Sequence, residues 1–381
     1  MSSMSFMEKL LDGVKTEWKA LGDKNYFEIA NSGRKPVKAS LRVTGKIPYY
    51  GANNIQDSVE GYTHDGEYVL IAEDGSASLE SYSIQYVVGK FWANNHVHVV
   101  CGTDRVDTRF LYHYLSTVNF IPFLTGGVRA KLTRGSMVGI DIPIPCPENP
   151  EKSLSIQAEI VRILDAFTEL TAELTAELST RKQQYNYYRD QLLRFEEVVV
   201  EWKSLGEVAV IGTGNHDTKD AIVDGDYIFY ARGRAPLKLN VFDFDETAII
   251  TAGDGAGVGK VYHYAQGKYA LHQRAYRIVP KEVMEPRFVY HYIAAYFYAY
   301  IQKASVSSSV ASLRRPMFLN FPIPVPTLSE QKRIVAILDK FDTLTSSISE
   351  GLPREIALRN QQYEYYRDLL LSFPKTEEVA T

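Results

Sequence analysis

The stretch Gly253-Asp-Gly-Ala-Gly-Val-Gly-Lys260 is the part of this chain that most invites a chemical reading. A glycine-rich loop ending in lysine suits phosphate, because backbone N–H groups cradle the oxygens and the lysine reaches them. The spacing fails that test. A phosphate loop needs glycine where Asp254 stands and serine or threonine where Val261 stands, and Lys260 occupies the place of a third dinucleotide glycine. A carboxylate would face the phosphates it should hold, so the stretch reads as a tight turn. The eight histidines are scattered. His96 and His98 alternate on a candidate strand, but no carboxylate or cysteine at ligand spacing completes a metal set. His113 and His291 sit at equivalent places on tyrosine-rich amphipathic stretches, where packing is the simpler reading. No Gly-x-Ser-x-Gly elbow or His-Glu-x-x-His helix is present. The chain shows no self-sufficient active site; an enzyme built around His96 or Gly253–Lys260 is the alternative from another class.

What remains is polarity suited to reading the edge of a polymer. Thr125-Gly-Gly-Val-Arg-Ala-Lys-Leu-Thr-Arg134 and Ser305-Val-Ser-Ser-Ser-Val-Ala-Ser-Leu-Arg-Arg315 both precede a Pro-Ile-Pro segment. Glycine and serine let backbone approach closely, as at Gly127, Ser308 and Ser309, while Arg129, Lys131, Arg134, Arg314 and Arg315 offer phosphate or guanine contacts. Asn94, Asn95 and Gln273, with Arg274 beside it, fall at matching strand positions and suit adenine or guanine edges. Taken alone, these residues fit ordinary solvated loops better.

The elements that would position them come in duplicate. Arg181-Lys-Gln-Gln-Tyr-Asn-Tyr-Tyr-Arg-Asp-Gln-Leu-Leu-Arg-Phe195 returns as Arg359-Asn-Gln-Gln-Tyr-Glu-Tyr-Tyr-Arg-Asp-Leu-Leu-Leu-Ser-Phe373, identical at eleven of fifteen positions. Glu-Trp-Lys-x-Leu-Gly recurs at 17–22 and 201–206, Arg-Phe-x-Tyr-His-Tyr at 109–114 and 287–292, and Pro-Ile-Pro-x-Pro at 143–147 and 322–326. Gln-x-x-Ile-Val-x-Ile-Leu-Asp-x-Phe closes the set at 157–167 and 331–341. One unit of roughly 180 residues is therefore used twice. Between the shared pieces the two copies differ, which predicts one scaffold with two surfaces.

Each copy ends in a helix. Ile160, Phe167, Leu174, Tyr188 and Phe195 share one heptad position; Leu164, Leu178, Tyr185 and Leu192 share the other. The pattern covers about 40 residues, or roughly 60 Å, and Ser155 is a plausible N-cap. Such a seam cannot bury itself, and pairing with the second copy (Ile334, Leu338, Phe341, Tyr363, Tyr366, Leu370, Phe373) is the economical answer. Gly351-Leu-Pro353 predicts a break in that second helix. The globular parts read as α/β with short strands: Tyr68–Ala72 and Ala248–Thr251 as buried strands, and Phe91–Val100 and Tyr269–Ile278 as half-buried ones.

Composition sets outer bounds. The chain has 381 residues, 45% hydrophobic and 23% charged, which fits two soluble globular domains plus connectors. No apolar run approaches the ~18 residues of a membrane span. Cys101 and Cys146 do not hold matching places in the repeats, so neither a disulfide framework nor a zinc site is expected. With no cleavable signal pattern, a reduced, cytoplasmic protein is the expectation. The net charge of −4 is not that of a protein that grips nucleic acid by charge alone.

In their order and duplication, the framework phrases resemble the DNA specificity subunits of type I restriction–modification systems, over essentially the whole chain. The tandem Thr171-Ala-Glu-Leu174, Thr175-Ala-Glu-Leu178 looks like that family's spacer element. The resemblance implies an α/β (α+β) fold with target-recognition domains at 1–150 and 197–326. Spacer regions at 151–196 and 327–381 would form an antiparallel coiled coil with a pseudo-two-fold internal repeat. It implies a non-catalytic subunit that reads a bipartite, asymmetric site in double-stranded DNA and scaffolds two methyltransferase subunits and the restriction, or translocase, subunits. Phe167, Leu174, Leu178, Tyr185, Tyr188, Phe341, Tyr363 and Tyr366 would serve coil and methyltransferase dock. No cofactor is expected on this chain; S-adenosylmethionine would belong to the methyltransferase. Alternatives are the specificity subunit of a fused IIB-like enzyme and a coiled-coil adaptor with two protein-binding heads.

Overall fold

The computed structural model describes residues 10, 13–127, 130–195, 200–304, 313–347 and 349–373. It comprises two compact units: residues 1–173 with 356–381, and residues 174–355. Each keeps one β-rich head and adds a segment from both helical regions, so the units do not divide at the ends of the helices.

The first head opens with β1 (Thr16–Ala20), paired antiparallel to β8 (Asp141–Pro145), with Trp18 opposite Pro143. The Pro-Ile-Pro segment is thus one half of a two-stranded ribbon, where edges without a further neighbour tolerate proline. The strands β2 (Phe27–Ile29), β3 (Thr44–Tyr50), β4 (Ile55–Val59), β5 (His64–Ala72), β6 (Ile84–Ala93) and β7 (Val97–Gly102) form one sheet, ordered β2-β7-β5-β6-β3-β4. Only β3 and β6 run parallel. Val69, Leu70, Ile71 and Ala72 are fully buried in the central β5, which explains their uninterrupted apolar run. Phe91–Val100 is not one strand. The polar Asn94-Asn95-His96 forms a turn between β6 and β7.

The second head repeats this plan. β9 (Glu201–Ser204) pairs with β16 (Pro322–Val325). The sheet of β10 (Ala209–Thr213), β11 (Tyr227–Tyr230), β12 (Leu237–Leu239), β13 (Phe244–Ala252), β14 (Tyr262–Leu271) and β15 (Ala275–Pro280) is ordered β10-β15-β13-β14-β11-β12. Its one parallel pair, β11 and β14, is the counterpart of β3 and β6. Here too a turn, His272-Gln273-Arg274, replaces the single strand expected from alternation.

The helices are α1 (Thr108–Leu115), α2 (Arg134–Met137), α3 (Pro150–Leu192), α4 (Leu205–Val208), α5 (Pro286–Ala304), α6 (Arg315–Leu319), α7 (Leu328–Ser346) and α8 (Gly351–Leu371). The cap of α3 is Asn149, not Ser155: its side-chain oxygen accepts from the N–H of Lys152 at 3.0 Å. Pro150 then occupies the first turn, where a missing N–H leaves nothing unpaired, and Ser155 lies one turn inside. The 43 residues of α3 rise about 64 Å. The second helical region breaks where glycine and proline suggested, with α8 opening on Gly351 at φ 77°.

Head and helix meet through the same contacts in both units. Buried Gln157 accepts from Asp107 N–H at 2.9 Å and donates to Arg105 carbonyl at 3.2 Å; Gln331 does the same with Glu285 (2.7 Å) and Val283 (3.1 Å). Arg109 and His113 of α1 converge on Asp165, while Arg287 and His291 of α5 converge on Asp339. The two histidines therefore do more than pack. Nε2 donates to the carboxylate at 2.8 and 2.7 Å, and Nδ1 is buried with no hydrogen-bond partner among the described residues. Beneath them Ile160 and Leu164, or Ile334 and Leu338, are buried in the core.

Another helical segment then packs on each junction. In the first unit α8 arrives as α3 leaves: Tyr366 stacks on Phe167 (5.3 Å between centroids) and Phe373 meets Phe110. In the second, α3 arrives as α7 leaves: Tyr188 stacks on Phe341 (5.6 Å), Tyr185 lies beside it, and Phe195 meets Phe288. The segments in each unit are antiparallel.

Candidate nucleic-acid interface

The polar residues singled out in sequence sort into two rims, one per head, built on identical backbone bonds. In the first, Glu73 N–H donates to His96 carbonyl and Leu132 N–H to Glu73 carbonyl, both at 2.8 Å. In the second, Gly253 N–H donates to Arg274 carbonyl (2.8 Å) and Leu313 N–H to Gly253 carbonyl (2.7 Å). The loop after the central strand, the turn after β6 or β14 and the segment before α2 or α6 are thereby tied together. Leu132–Arg134 and Leu313–Arg315 are equivalent, as their place before Pro-Ile-Pro suggested; residues 128–129 and 305–312 of the two stretches lie outside the described residues.

Asn94 lies inside the fold at 3% exposure, and its oxygen accepts from the N–H of His96 (2.8 Å), so it shapes the turn and does not face a polymer. His272 fills that role in the second head, accepting from Arg274 N–H through Nδ1 (2.9 Å). Asn95 and Gln273 are exposed at the turn tips, with Gln273 donating to Asp217 at 3.0 Å. Gly127 has φ 56° and open space where a Cβ would stand, so a side chain would be strained but not blocked. Lys131 pairs with Glu73 at 2.9 Å. Arg134 and Arg315 are exposed at the equivalent first residues of α2 and α6, and Arg314 is exposed one residue earlier. Arg129, Ser308 and Ser309 lie outside the described residues.

The rims differ in their charged side chains. In the first, Glu73 is held by Arg34 (2.6 Å) and Lys131, with Asp74 bonded to His96 Nδ1. Burial alone would raise the Glu73 carboxyl, but the hydrogen bonds of Arg34 and Lys131 outweigh it and hold the group below its ordinary value. In the second, Asp254 is gripped by Arg232 (2.8 Å) and Arg274 (3.1 Å). Burial again opposes and the two arginines prevail, so this carboxyl too lies low. Arg232, Arg234 and Asp254 line an open groove of about 470 Å³ with Gly255, Ala256 and Gly257. The glycine-rich stretch is the turn expected, with its aspartate spent on arginines. Asp74 and Arg232 escaped the sequence reading, and His96 and Asp254 entered it only in other roles. The signal was present, since Ala72-Glu-Asp-Gly75 and Ala252-Gly-Asp-Gly255 place an aspartate identically after the central strand.

Of the helical residues, Phe167, Tyr366, Tyr185, Tyr188 and Phe341 are engaged in ring contacts within their units, and Leu174, Leu178 and Tyr363 are half-buried. Tyr187 and Tyr365, equivalent in the repeated phrase, are instead 62% and 65% exposed. Both cysteines are buried and free. Among the described residues there is no cluster able to hold a metal, and no helix long and apolar enough to cross a membrane.

Duplicated α+β heads, each locked to long helices, define a recognition module used twice. The family model for the type I restriction modification DNA specificity domain matches residues 16–181 and 198–358. The chain is 44% identical, over 98% of its length and 99% of the other, to a chain named as a type I restriction enzyme specificity subunit in Haemophilus influenzae. It is 40% identical, over the whole of both, to the EcoR124I/EcoR124II specificity subunit of Escherichia coli. The crystal structure of a type I restriction–modification S subunit from M. genitalium shares the fold, with TM-score 0.69 at 14% identity over 98% of this chain and all of that one. This chain belongs to the family of type I restriction–modification DNA specificity subunits, which are non-catalytic.

Proposed function

We propose that each unit reads one half of a bipartite, asymmetric site in double-stranded DNA, while the helical regions carry two methyltransferase subunits. The observation that carries this reading is the contrast between matched junctions and unmatched rims: two heads held alike present different chemistry to solvent. A bipartite site follows naturally from two such heads in one chain. The exposed Tyr187 and Tyr365 support the docking half of the proposal, since one surface offered twice suits two copies of one partner, and tyrosine is a favoured anchor. The methyltransferase subunits would bring S-adenosylmethionine and modify adenine. Restriction subunits would join the same assembly, in the cytoplasm. With a net charge of −4, the isolated chain would bind DNA weakly, and its partners would supply much of the phosphate grip.

Genome-wide mapping of methylated adenines, with this gene intact and deleted, tests the proposal. A gapped two-part motif that disappears with the gene is the expected result. An unchanged methylation map, from cells shown to contain the assembled complex, would refute it.

A further inference from the structure

The two rims share one device. After the central strand of each head, an aspartate at the same position holds an exposed nitrogen side chain from the third residue of the same turn: Asp74 on His96, and Asp254 on Arg274. The partners are chemically unrelated, yet the backbone bonds around them match. We propose that His96 and Arg274 are the specificity-determining residues of their heads, each reading a base edge, with Asp74 and Asp254 as positioning residues. This rests on the reading of the units as DNA-reading heads.

The pairing itself argues for bases over phosphates. A carboxylate beside the contact would repel a phosphate, whereas it leaves an uncharged base edge unopposed. Asp254 uses Nη1 of Arg274, which leaves the Nε–Nη2 edge as a two-donor fork with no partner among the described residues. That edge matches O6 and N7 of guanine in the major groove. Side-chain exposure points the same way: 62% for Arg274 against 22% for Asp254, which Arg232 also anchors. The presenting group is the more exposed of the pair in both heads, though in the first the contrast is small, 48% for His96 against 39% for Asp74. His96 gives its Nδ1 to Asp74 and keeps Nε2 with no partner among the described residues, a single contact point in place of a fork. The second head is therefore expected to demand guanine at one position, and the first to discriminate less sharply at its own.

The test uses the methyltransferase complex assembled on the full chain and a duplex library randomised at both half-sites. Arg274→Ala should reduce guanine preference at one position by about 10- to 100-fold, the range of a lost bidentate contact. Arg274→Lys should recover little of it, because a point charge lacks the fork. Asp254→Asn should blur the same position, and adding it to Arg274→Ala should change nothing further, since it acts through that side chain. His96→Ala and Asp74→Asn should alter one position of the other half-site only. In each variant the untouched half-site reports folding and assembly in the same experiment. Preferences unchanged in Arg274→Ala and His96→Ala, or loss spread over both half-sites, would overturn the inference while the proposed function stood. A wild-type complex without sequence preference would sink both.

Discussion

The junctions and the rims of this molecule obey opposite rules. At the junctions, Gln157, Asp165, Arg109 and His113 are repeated as Gln331, Asp339, Arg287 and His291 with the same pairings, to which Arg287 adds Asp342. At the rims the backbone bonds are repeated, but Glu73 with Arg34 and Lys131 gives way to Gly253, and His96 gives way to Arg274. Where a head must sit correctly on its helix, buried polar groups leave little freedom, because an unmatched donor or charge there is costly. Where a head meets solvent, only the backbone frame is constrained, and side chains are free to differ.

The first way to break this comparison is to cut the twin cores. Leu164→Ala and Leu338→Ala each remove a fully buried side chain and should cost about 3 kcal/mol, and they should do so nearly equally. Thermal unfolding of each variant checks this, and a clear inequality would mean the junctions only look alike. Asp165→Ala should follow at about 2 kcal/mol, since it strands an arginine and a buried histidine, and Asp339→Ala at somewhat less, since Arg287 keeps Asp342. The corresponding fall in unfolding temperature is about 4–8 °C. Smaller still, Tyr187→Ala and Tyr365→Ala should leave unfolding unchanged and each weaken one of two methyltransferase subunits by about tenfold. Mass measurement of the complex at limiting partner concentration would show intermediates with one subunit lost.

The mildest expectation concerns pH. Burial, outweighing the hydrogen bond that His113 donates to Asp165, pushes His113 below its ordinary value of 6.5. A ring that is neutral in the fold but protonated once unfolded stabilises the fold fully above about pH 6.5, and that stability is lost as pH falls toward the lower folded value. Asp165 is also low: burial opposes, and Arg109 and His113 prevail. Its contribution is present above about pH 4 and lost as pH falls through its folded value. His113→Gln should flatten the upper part of the stability profile and leave the acid part in place.

Much of this architecture was legible because it is written twice. A phrase such as Arg-Phe-x-Tyr-His-Tyr carries little meaning once, but repeated at equal distance from the same helix it marks a structural joint. The helix break at Gly351 was readable because a Cβ there would stand 2.4 Å from the carbonyl oxygen of Thr343, a place only glycine fills. The histidine–aspartate clamps were missed because their partners lie about 50 residues apart, and periodicity within one element carries no sign of them. Asn94 misled for a related reason. Alternation made 91–100 look like one strand, and an asparagine that shapes a turn has the same composition as one that reads adenine.

The central claim is that each head reads one half-site and that the helical regions set the gap between the half-sites. Deleting Thr171–Leu174 removes one Thr-Ala-Glu-Leu quartet and shortens α3 by ~6 Å, the rise of about two base pairs. Sequencing the methylated sites of the assembled variant measures the outcome directly. Both half-sites should keep their bases while the gap between them shrinks by about two base pairs. An unchanged gap in a complex that still methylates would contradict the account.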